Sequence, residues 1–377
     1  MQDIFKGITV IELASVLAGP AVGMFFAELG ATVIKVENPS TGGDVTRQWC
    51  LANEPSTDRT AYFCSVNWGK KSVAVDLASE EGKQIVYKLI AKADVVLTSY
   101  KKGSAEKLGM SYADFQEVNP DIIHGRIIGY SPEDERVAFD AILQAACGFT
   151  YMNGEKNGAP VKMPVALMDL LTAHQLMEGL LLALLKRERG GGGSLITASL
   201  FKSGIASLAN QATNWLQAGH IPQRIGSDHP NIVPYGTMFT TQDGQQLVIA
   251  VGNNRQFAGL CELLDAKDLA QNSRFADNPS RVKHREELLS LLRERFKDYS
   301  ADFLLKGMRA QGIPGELVRD MQQVFEQDLA EEMVLREDSV AGVRSIAFEE
   351  DTAKPTNLSP PPGFGEHTEE VFMLLEK

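Results

Sequence analysis

The sequence predicts an α/β fold, in which a large domain with an open, mostly parallel, Rossmann-like sheet accompanies a smaller α+β domain. Short apolar stretches of strand length alternate with helical stretches through the first half of the chain, a pattern typical of βαβ units. Near residue 225 a hairpin-like segment and charged helices replace this alternation. We therefore predict a large domain over residues 1–224 and 331–377 and a small domain over residues 225–330.

The strands of the large domain are predicted from runs of β-branched and other apolar residues. These runs are residues 8–13, 32–37, 72–77, 95–97, 122–128 and 194–199. An apolar helix follows the Gly19-Pro20 turn, and Ser79 is placed to cap a helix that runs to residue 93. The clearest helix covers residues 169–187 and ends at a glycine run, 190–193, which we predict to be a mobile turn. A further helix is predicted over residues 200–218.

The small domain is predicted to begin with an antiparallel hairpin over residues 234–252, turning at Asp243-Gly244. Charged helices fill residues 254–311, and a loop and a closing helix end the chain.

Charge and cysteine usage limit the classes of partner. The 377-residue chain has a formal net charge of −12, which argues against nucleic acid or an anionic membrane as the main partner. Its four cysteines are scattered without a CxxC pair, so we expect free thiols, no metal site and a reducing, cytoplasmic location. The longest apolar run, 176–185, contains Glu178 and is short, so no membrane span is expected.

Two common enzyme classes lack their motifs. The loop after the first strand reads ASVLAGP instead of GxGxxG, which argues against NAD or FAD although Glu37 ends the second strand. GxSxG, the serine-hydrolase motif, is also absent from the sequence.

Asp169 is the carboxylate of greatest interest because it stands at the start of a strongly apolar helix. An aspartate there is usually a helix N-cap. The same position also suits a nucleophile, because helix amides can stabilise the carboxylate and a developing oxyanion. The residues alone leave both interpretations open.

Several stretches, in order along nearly the whole chain, resemble the class III CoA-transferases, the superfamily of formyl-CoA:oxalate and carnitine CoA-transferases and α-methylacyl-CoA racemases. The stretches are GITVIELASVLAGP leading to GGDVTR, NWGKKSVAVDL, SYKKGSAEKLGM with NPDIIHGRIIGY, MDLLTAHQLMEGLLLALLKRERGGGG, HPNIVPYGTMFTTQDG and GEHTEEV. The resemblance places Asp169 at the catalytic aspartate and implies an interlocked homodimer.

The sequence departs from the family pattern at several positions. Residues 99–103 read SYKKG where the family has NFRPG, and Asn38 replaces a basic residue. Leu17 replaces a glutamine of the oxalate enzyme, and Ala173 replaces a glycine. These departures concern adenosine-phosphate binding and acid specificity.

The resemblance also implies binding residues. Positions expected to contact CoA are Val16, Ala18, Ser72, Val75, Ser99, Tyr100, Lys107, Leu108 and Arg136. Asp140 is expected to position the substrate or an active-site hydrogen bond, and Leu17 lies on the substrate side. Arg47 is a candidate partner for a distal substrate carboxylate. Surface solvation is the alternative for the Lys107 and Arg136 charges, and a structural role is the alternative for Arg47.

The resemblance implies CoA transfer through an aspartyl anhydride and an aspartyl-CoA thioester, with no cofactor beyond CoA and acyl-CoA as substrates. Succinyl-CoA as donor and a C4 to C6 acid as acceptor are the leading expectation. The alternatives are a 2-methylacyl-CoA racemase and a non-catalytic acyl-CoA-binding protein. Phe139 stands where the racemases have their proton-shuttling histidine, which disfavours the first alternative.

Overall fold

A computed structural model describes residues 3–55, 57–337, 339–349 and 357–376, so Lys377 of the predicted closing helix lies outside the described residues. Contacts divide the described chain into two units. The first contains residues up to 147, residues 163–212 and residues after 328, and the second contains residues 148–162 and 213–328.

The strands are β1 (Thr9–Leu13), β2 (Thr32–Glu37), β3 (Lys70–Ala74), β4 (Val95–Thr98), β5 (Ile123–Ile128), β6 (Ser194–Ser199), β7 (Tyr235–Thr240), β8 (Gln246–Ala250), β9 (Gly315–Leu317), β10 (Val334–Glu337) and β11 (Val340–Val343). The helices are α1 (Ala18–Glu28), α2 (Ala61–Cys64), α3 (Glu80–Ala91), α4 (Ser104–Leu108), α5 (Tyr112–Val118), α6 (Asp140–Ala146), α7 (Phe149–Met152), α8 (Leu167–Glu188), α9 (Leu200–Ala206), α10 (Ala209–Ala218), α11 (Asn254–Leu263), α12 (Lys267–Gln271), α13 (Asn278–Lys283), α14 (Arg285–Phe296), α15 (Ala301–Ala310), α16 (Met321–Phe325), α17 (Asp328–Glu331) and α18 (Thr368–Leu375).

The first unit is built on a six-stranded sheet of order β3-β2-β1-β4-β5-β6, and every pairing in it is parallel. The predicted α/β class and parallel sheet are therefore confirmed. From β1 the chain winds outward to β3 on one side, and from β4 it winds outward to β6 on the other. The order reverses between β1 and β4, and ligands of such sheets bind at the carboxyl ends of the strands at this reversal.

Helices cover the two faces of the sheet. Apolar residues of β1 and β2, such as Ile11 and Ile34, pack with α3 and α5 on one face. On the other face α1 is buried along its whole length, and α8 buries a stripe that includes Leu176 and Leu180. The carboxyl ends of the strands are thereby left next to the first turns of α1 and α8.

By length and composition alone, α8 is apolar enough to cross a membrane. The core helix of a soluble protein passes the same test, and α8 packs against α1, β5 and β6 within the first unit. Leu182 is 67% exposed on its outer side.

The second unit contains the antiparallel sheet β7-β8-β9 and the helices α11–α15 around an apolar core. The predicted hairpin is confirmed, and Gly244 adopts φ +76° at its turn. Phe239 stacks on Phe296 in the core, with ring centroids 4.1 Å apart.

Several predicted elements differ from the observed ones by one or two residues at their limits. The third strand differs more, because it covers Lys70–Ala74 instead of residues 72–77. The helix predicted over 200–218 is two helices, α9 and α10, and Ala209 takes a positive φ of +46° where the second one begins. The longest helix begins at Leu167, two residues before Asp169.

Candidate active site

A cavity of about 390 Å³ lies at the reversal of strand order in the first unit. Its walls come from the turn after β1, the residues after β4, the segment between β5 and α6, and the first turn of α8. Of the residues predicted for the site, it contains Val16, Leu17, Ala18, Ser99, Tyr100, Arg136, Asp140 and Asp169. The fold therefore brings together residues that are more than 150 positions apart in the sequence.

Asp169 is the third residue of α8 and does not cap it. The N-cap position belongs to Ala166, which offers no side-chain hydrogen bond, so the N-cap interpretation of Asp169 is wrong. Among the described residues, no hydrogen bond or ion pair involves the Asp169 carboxylate. Burial, and secondarily the charge of Asp140, raises the pKa of Asp169 to about 7. The site thus holds a half-buried carboxylate that the described part of the chain leaves without a partner.

Asp140 supplies the cap that α8 lacks. Its Oδ1 accepts a hydrogen bond from the Met168 backbone N–H at 2.7 Å, and its Oδ2 accepts one from Gln144 Nε2 at 2.7 Å. Asp140 is thereby fixed against the first turn of the helix that carries Asp169, and its negative charge faces the second carboxylate.

Gln144 holds this arrangement from behind. It is fully buried, and its Oε1 accepts a hydrogen bond from the Met163 N–H at 2.7 Å. One side chain therefore joins α6 to the segment that leads into α8. Sequence reasoning missed Gln144, although its i, i+4 spacing from Asp140 on one helix was an available signal.

The backbone amides of the two first turns are used differently. In α8, Leu167 N–H donates to the Val165 carbonyl and Met168 N–H to Asp140. In α1, the N–H groups of Ala18 and Gly19 have no acceptor among the described residues. The free helix amides in the cavity wall therefore belong mainly to α1.

Four cations line the cavity: Lys101, Lys102, Arg126 and Arg136. Arg136 stacks over the Tyr130 ring at 3.6 Å and pairs with Asp134. Lys102 lies 3.4 Å from a Glu135 carboxylate oxygen. Such cations suit the phosphates of an anionic ligand. Arg126 was not predicted, because a lone arginine in a strand carries no motif.

The remaining predicted residues lie outside the cavity lining. Lys107 is exposed on α4, and Leu108 follows it. Ser72 and Val75 are buried, and Ser72 Oγ donates to Glu37.

Arg47 is 5% exposed, and its guanidinium is engaged within the protein. Its Nε and one terminal nitrogen bind Glu37 at 2.8 and 2.6 Å, and its other terminal nitrogen donates to the Pro362 carbonyl. These contacts favour the structural alternative for Arg47.

Within the described residues, no group of three His, Cys, Asp or Glu is placed to hold a metal ion. All four cysteines are free thiols, and only Cys50 is exposed.

Comparisons with known proteins agree over the whole length of the chain. The model of CoA-transferase family III matches residues 5–368. The chain is 36% identical to the succinate–glutarate CoA-transferase of Agrobacterium fabrum, covering 98% of this chain and 95% of that protein. It is 35% identical to the human succinyl-CoA:glutarate CoA-transferase, covering 97% and 85%.

A solved structure gives the same result for the fold. The CAIB/BAIF family protein from Brucella suis superposes with a TM-score of 0.86 at 36% identity, covering all of both chains. The whole-length family match, the named relatives and the fold together show that the chain belongs to CoA-transferase family III and is a CoA-transferase.

Proposed function

We propose that the protein transfers CoA from succinyl-CoA to a small dicarboxylic acid through covalent intermediates on Asp169. The observation that carries the proposal is an unpartnered carboxylate in the cavity at the reversal of strand order. A carboxylate without a hydrogen-bond or ion partner keeps its lone pairs available for attack on an acyl group.

The first half of the proposed reaction loads CoA onto the enzyme. An Asp169 oxygen attacks the thioester carbonyl of the donor, and the carbon–sulfur bond breaks to give CoA thiolate and a mixed acyl-aspartyl anhydride. The thiolate then attacks the aspartyl carbonyl of the anhydride. This step releases the donor acid as a carboxylate and leaves an aspartyl-CoA thioester.

The second half runs the same steps in reverse with another acid. The acceptor carboxylate attacks the aspartyl thioester, which releases the thiolate and forms a new anhydride. The thiolate attacks the acceptor carbonyl, giving the new acyl-CoA and the free Asp169 carboxylate. Every step exchanges one activated acyl group for another, so orientation and oxyanion donors contribute more than strong acid–base groups.

The structure changes one part of this expectation. Amides at the start of the Asp169 helix were the expected oxyanion donors, but two of them are already engaged. We assign that role to Ala18 and Gly19, whose amides at the start of α1 have no acceptor among the described residues. Lys101, Lys102, Arg126 and Arg136 are proposed to face the CoA phosphates.

The choice of acids is proposed from the relatives, whose names specify succinate and glutarate. Succinyl-CoA with glutarate is therefore the first pair to test, followed by other C4 to C6 dicarboxylates. Exclusive use of monocarboxylates would contradict this part of the proposal.

Family resemblance supports an interlocked homodimer, the scattered cysteines support a cytoplasmic location, and the change in sequence pattern near residue 225 supports a separate small domain. Interlocking predicts that tagged and untagged subunits, mixed as folded dimers, do not exchange until they are unfolded. Exchange on mixing would leave a homodimer but exclude interlocking.

The central test traps the intermediates. Wild type, Asp169→Asn and Glu178→Gln are incubated with succinyl-CoA, treated with hydroxylamine or borohydride, and weighed intact by mass spectrometry. Glu178 is the matched control because it is an exposed carboxylate on the same helix.

We expect an adduct or reduced side chain at Asp169 in the wild type and in Glu178→Gln, and neither in Asp169→Asn. Asp169→Asn should also lose about 10⁴-fold or more in kcat, as expected when a nucleophile is removed. Turnover by Asp169→Asn near the wild-type rate would exclude the proposed nucleophile.

A further inference from the structure

A chain of four buried charges lies beneath the turn between β1 and α1. Lys70 Nζ is 2.8 Å from Glu12, Lys35 Nζ is 2.9 Å from the other oxygen of Glu12, and Lys35 Nζ is 2.8 Å from Asp44. Each of the four side chains is at most 4% exposed. We call these residues, Lys70, Glu12, Lys35 and Asp44, the charge chain.

Three members of the charge chain also hydrogen-bond one short backbone segment, residues 14–20. Lys35 Nζ donates to the Ala14 carbonyl at 3.0 Å, and Lys70 Nζ donates to the Pro20 carbonyl at 2.8 Å. The Asp44 carboxylate accepts from the Val16 N–H at 3.3 and 3.2 Å. The charge chain therefore holds the turn between β1 and α1 at Ala14 and Val16, and the first turn of α1 at Pro20, on both sides of Ala18 and Gly19.

Val16 is the residue of this turn that most needs support. Its φ is +73°, a conformation that β-branched residues rarely adopt without constraint from their surroundings. The only side chain that hydrogen-bonds its N–H, among those described, is Asp44. Substituting Asp44 therefore removes or weakens the side-chain hydrogen bond that holds Val16 at positive φ.

Both ends of the Lys35–Asp44 pair remain charged. Burial opposes the charge of Lys35, but the carboxylates of Glu12 and Asp44 outweigh it, so its pKa is raised. Burial opposes the charge of Asp44 as well, and Lys35 outweighs it, so the pKa of Asp44 is lowered.

Stability alone does not account for this arrangement. Buried ion pairs are often no more stabilising than apolar residues of the same volume, because both charges lose their hydration. Here three of the four residues are bound to one turn of the active-site wall.

We propose that the charge chain is the positioning device of the active site, and that it acts through Val16 to aim the Ala18 and Gly19 amides into the cavity opposite Asp169. The catalytic consequence rests on the proposed covalent reaction, whereas the effect on the turn does not.

Asp44→Asn is the primary variant, because asparagine retains an acceptor for Thr46 N–H, which Asp44 caps at 3.0 Å. Glu28→Gln is the matched control. Glu28 is also a buried carboxylate of the first unit, but it accepts hydrogen bonds from Ser345 and does not line the cavity.

Two measurements are made on these variants. In hydrogen–deuterium exchange, Asp44→Asn should speed exchange in peptides covering residues 14–20, while Glu28→Gln leaves them unchanged. In succinyl-CoA:glutarate assays, Asp44→Asn should lower kcat by about tenfold or more, with a smaller change in the KM for succinyl-CoA. Equal exchange and equal kcat in the two variants would overturn the proposal.

Rescue separates positioning from a general loss of structure. Glycine takes positive φ without support, so in a Val16→Gly background Asp44→Asn should cost a smaller factor in kcat than it does in wild type. An undiminished factor would contradict action through Val16. If Asp44→Asn does not fold, Glu12→Gln is used in its place. Glu12 pairs with Lys35 and Lys70 and does not itself bind the turn, so this variant interrupts the charge chain one member further from the turn.

The two proposals fail in different ways. An active Asp169→Asn would refute the covalent reaction, while the exchange measurement would still decide whether the charge chain holds the turn.

Discussion

Two helices begin at the same cavity, and their first turns are built differently. In α8 the Leu167 and Met168 amides are engaged by Val165 and Asp140, and the carboxylate of Asp169 has no partner in the described part of the chain. In α1 the amides of Ala18 and Gly19 have no acceptor within the described ranges, and the backbone around them is held by buried charges. In the proposed reaction, one helix would supply the nucleophile and the other would supply donors for the negative charge that the attack generates.

Among changes to the backbone of the two first turns, the largest effect is expected from removing the hydrogen bond by which Asp140 caps α8. Asp140→Ala leaves the Met168 amide without its acceptor and frees the start of the helix, so we expect kcat to fall about 10²-fold through misplacement of Asp169. Asp140→Asn is the matched control, because it keeps an oxygen acceptor for the Met168 amide, and we expect a smaller loss of kcat from it. Steady-state kinetics of both variants measure the difference, and equal losses would show that capping does not matter.

A smaller effect is expected at the start of α1. A Cβ added to Gly19 would lie 2.3 Å from the Cβ of Ala14, so Gly19→Ala must shift the turn. We expect kcat to fall on the order of tenfold, because donors are displaced rather than deleted. Gly192→Ala is the control, since its added Cβ meets only an ordinary contact at 3.7 Å. An unchanged kcat in Gly19→Ala would show that the oxyanion donors are not the amides at the start of α1.

The unpaired carboxylate of α8 also predicts how the reaction depends on pH. Only the ionised form of Asp169 can attack, so kcat/KM should rise with pH and level off above its pKa of about 7. Below that value the slope should approach tenfold per pH unit. Because the charge of Asp140 contributes to the raised pKa, the midpoint should be lower in Asp140→Asn. A wild-type profile that is flat between pH 5 and 8 would exclude a raised pKa in the free enzyme.

The same shift has a consequence for stability. The folded protein holds the Asp169 proton more tightly than the unfolded chain does, because the pKa of an aspartate in the unfolded chain has its ordinary value of 3.8. Stability is therefore lost as the pH rises from about 4 to about 7. Asp169→Asn should remove that loss and stabilise the protein at pH 8 by about 2 kcal/mol, a value that allows for partial solvation. Thermal unfolding at pH 5 and pH 8 tests this, with Glu178→Gln as the unaffected control.

Local β-branched and apolar residues predicted the limits of two strands correctly. β2 and β6 have the predicted limits, 32–37 and 194–199. β3 begins earlier than predicted because Lys70 is buried in the strand by its pairing with Glu12, a residue 58 positions earlier. A strand residue whose burial depends on a distant counter-charge cannot be recognised from its neighbours.

In the site, too, some features could be predicted from the sequence, whereas others depend on residues that are distant in the sequence. Family resemblance placed Asp169 and Asp140 among the predicted site residues, but the capping of α8 by Asp140 and the role of Gln144 depend on contacts between separate segments. The break between α9 and α10 was missed because neither glycine nor proline marks it. The positive φ of Val16 gave no signal either, since valine is rarely found in that conformation.

The charge chain also crosses three adjacent strands. Glu12 lies on β1 directly opposite Lys35 of β2, and Lys70 extends from β3. If β2 slipped by one residue, Ile34 or Val36 would stand opposite Glu12, and a buried carboxylate would lose a cation. Because an unpaired buried charge is far more costly than a mispaired apolar side chain, the charges select one alignment of this side of the sheet as the protein folds.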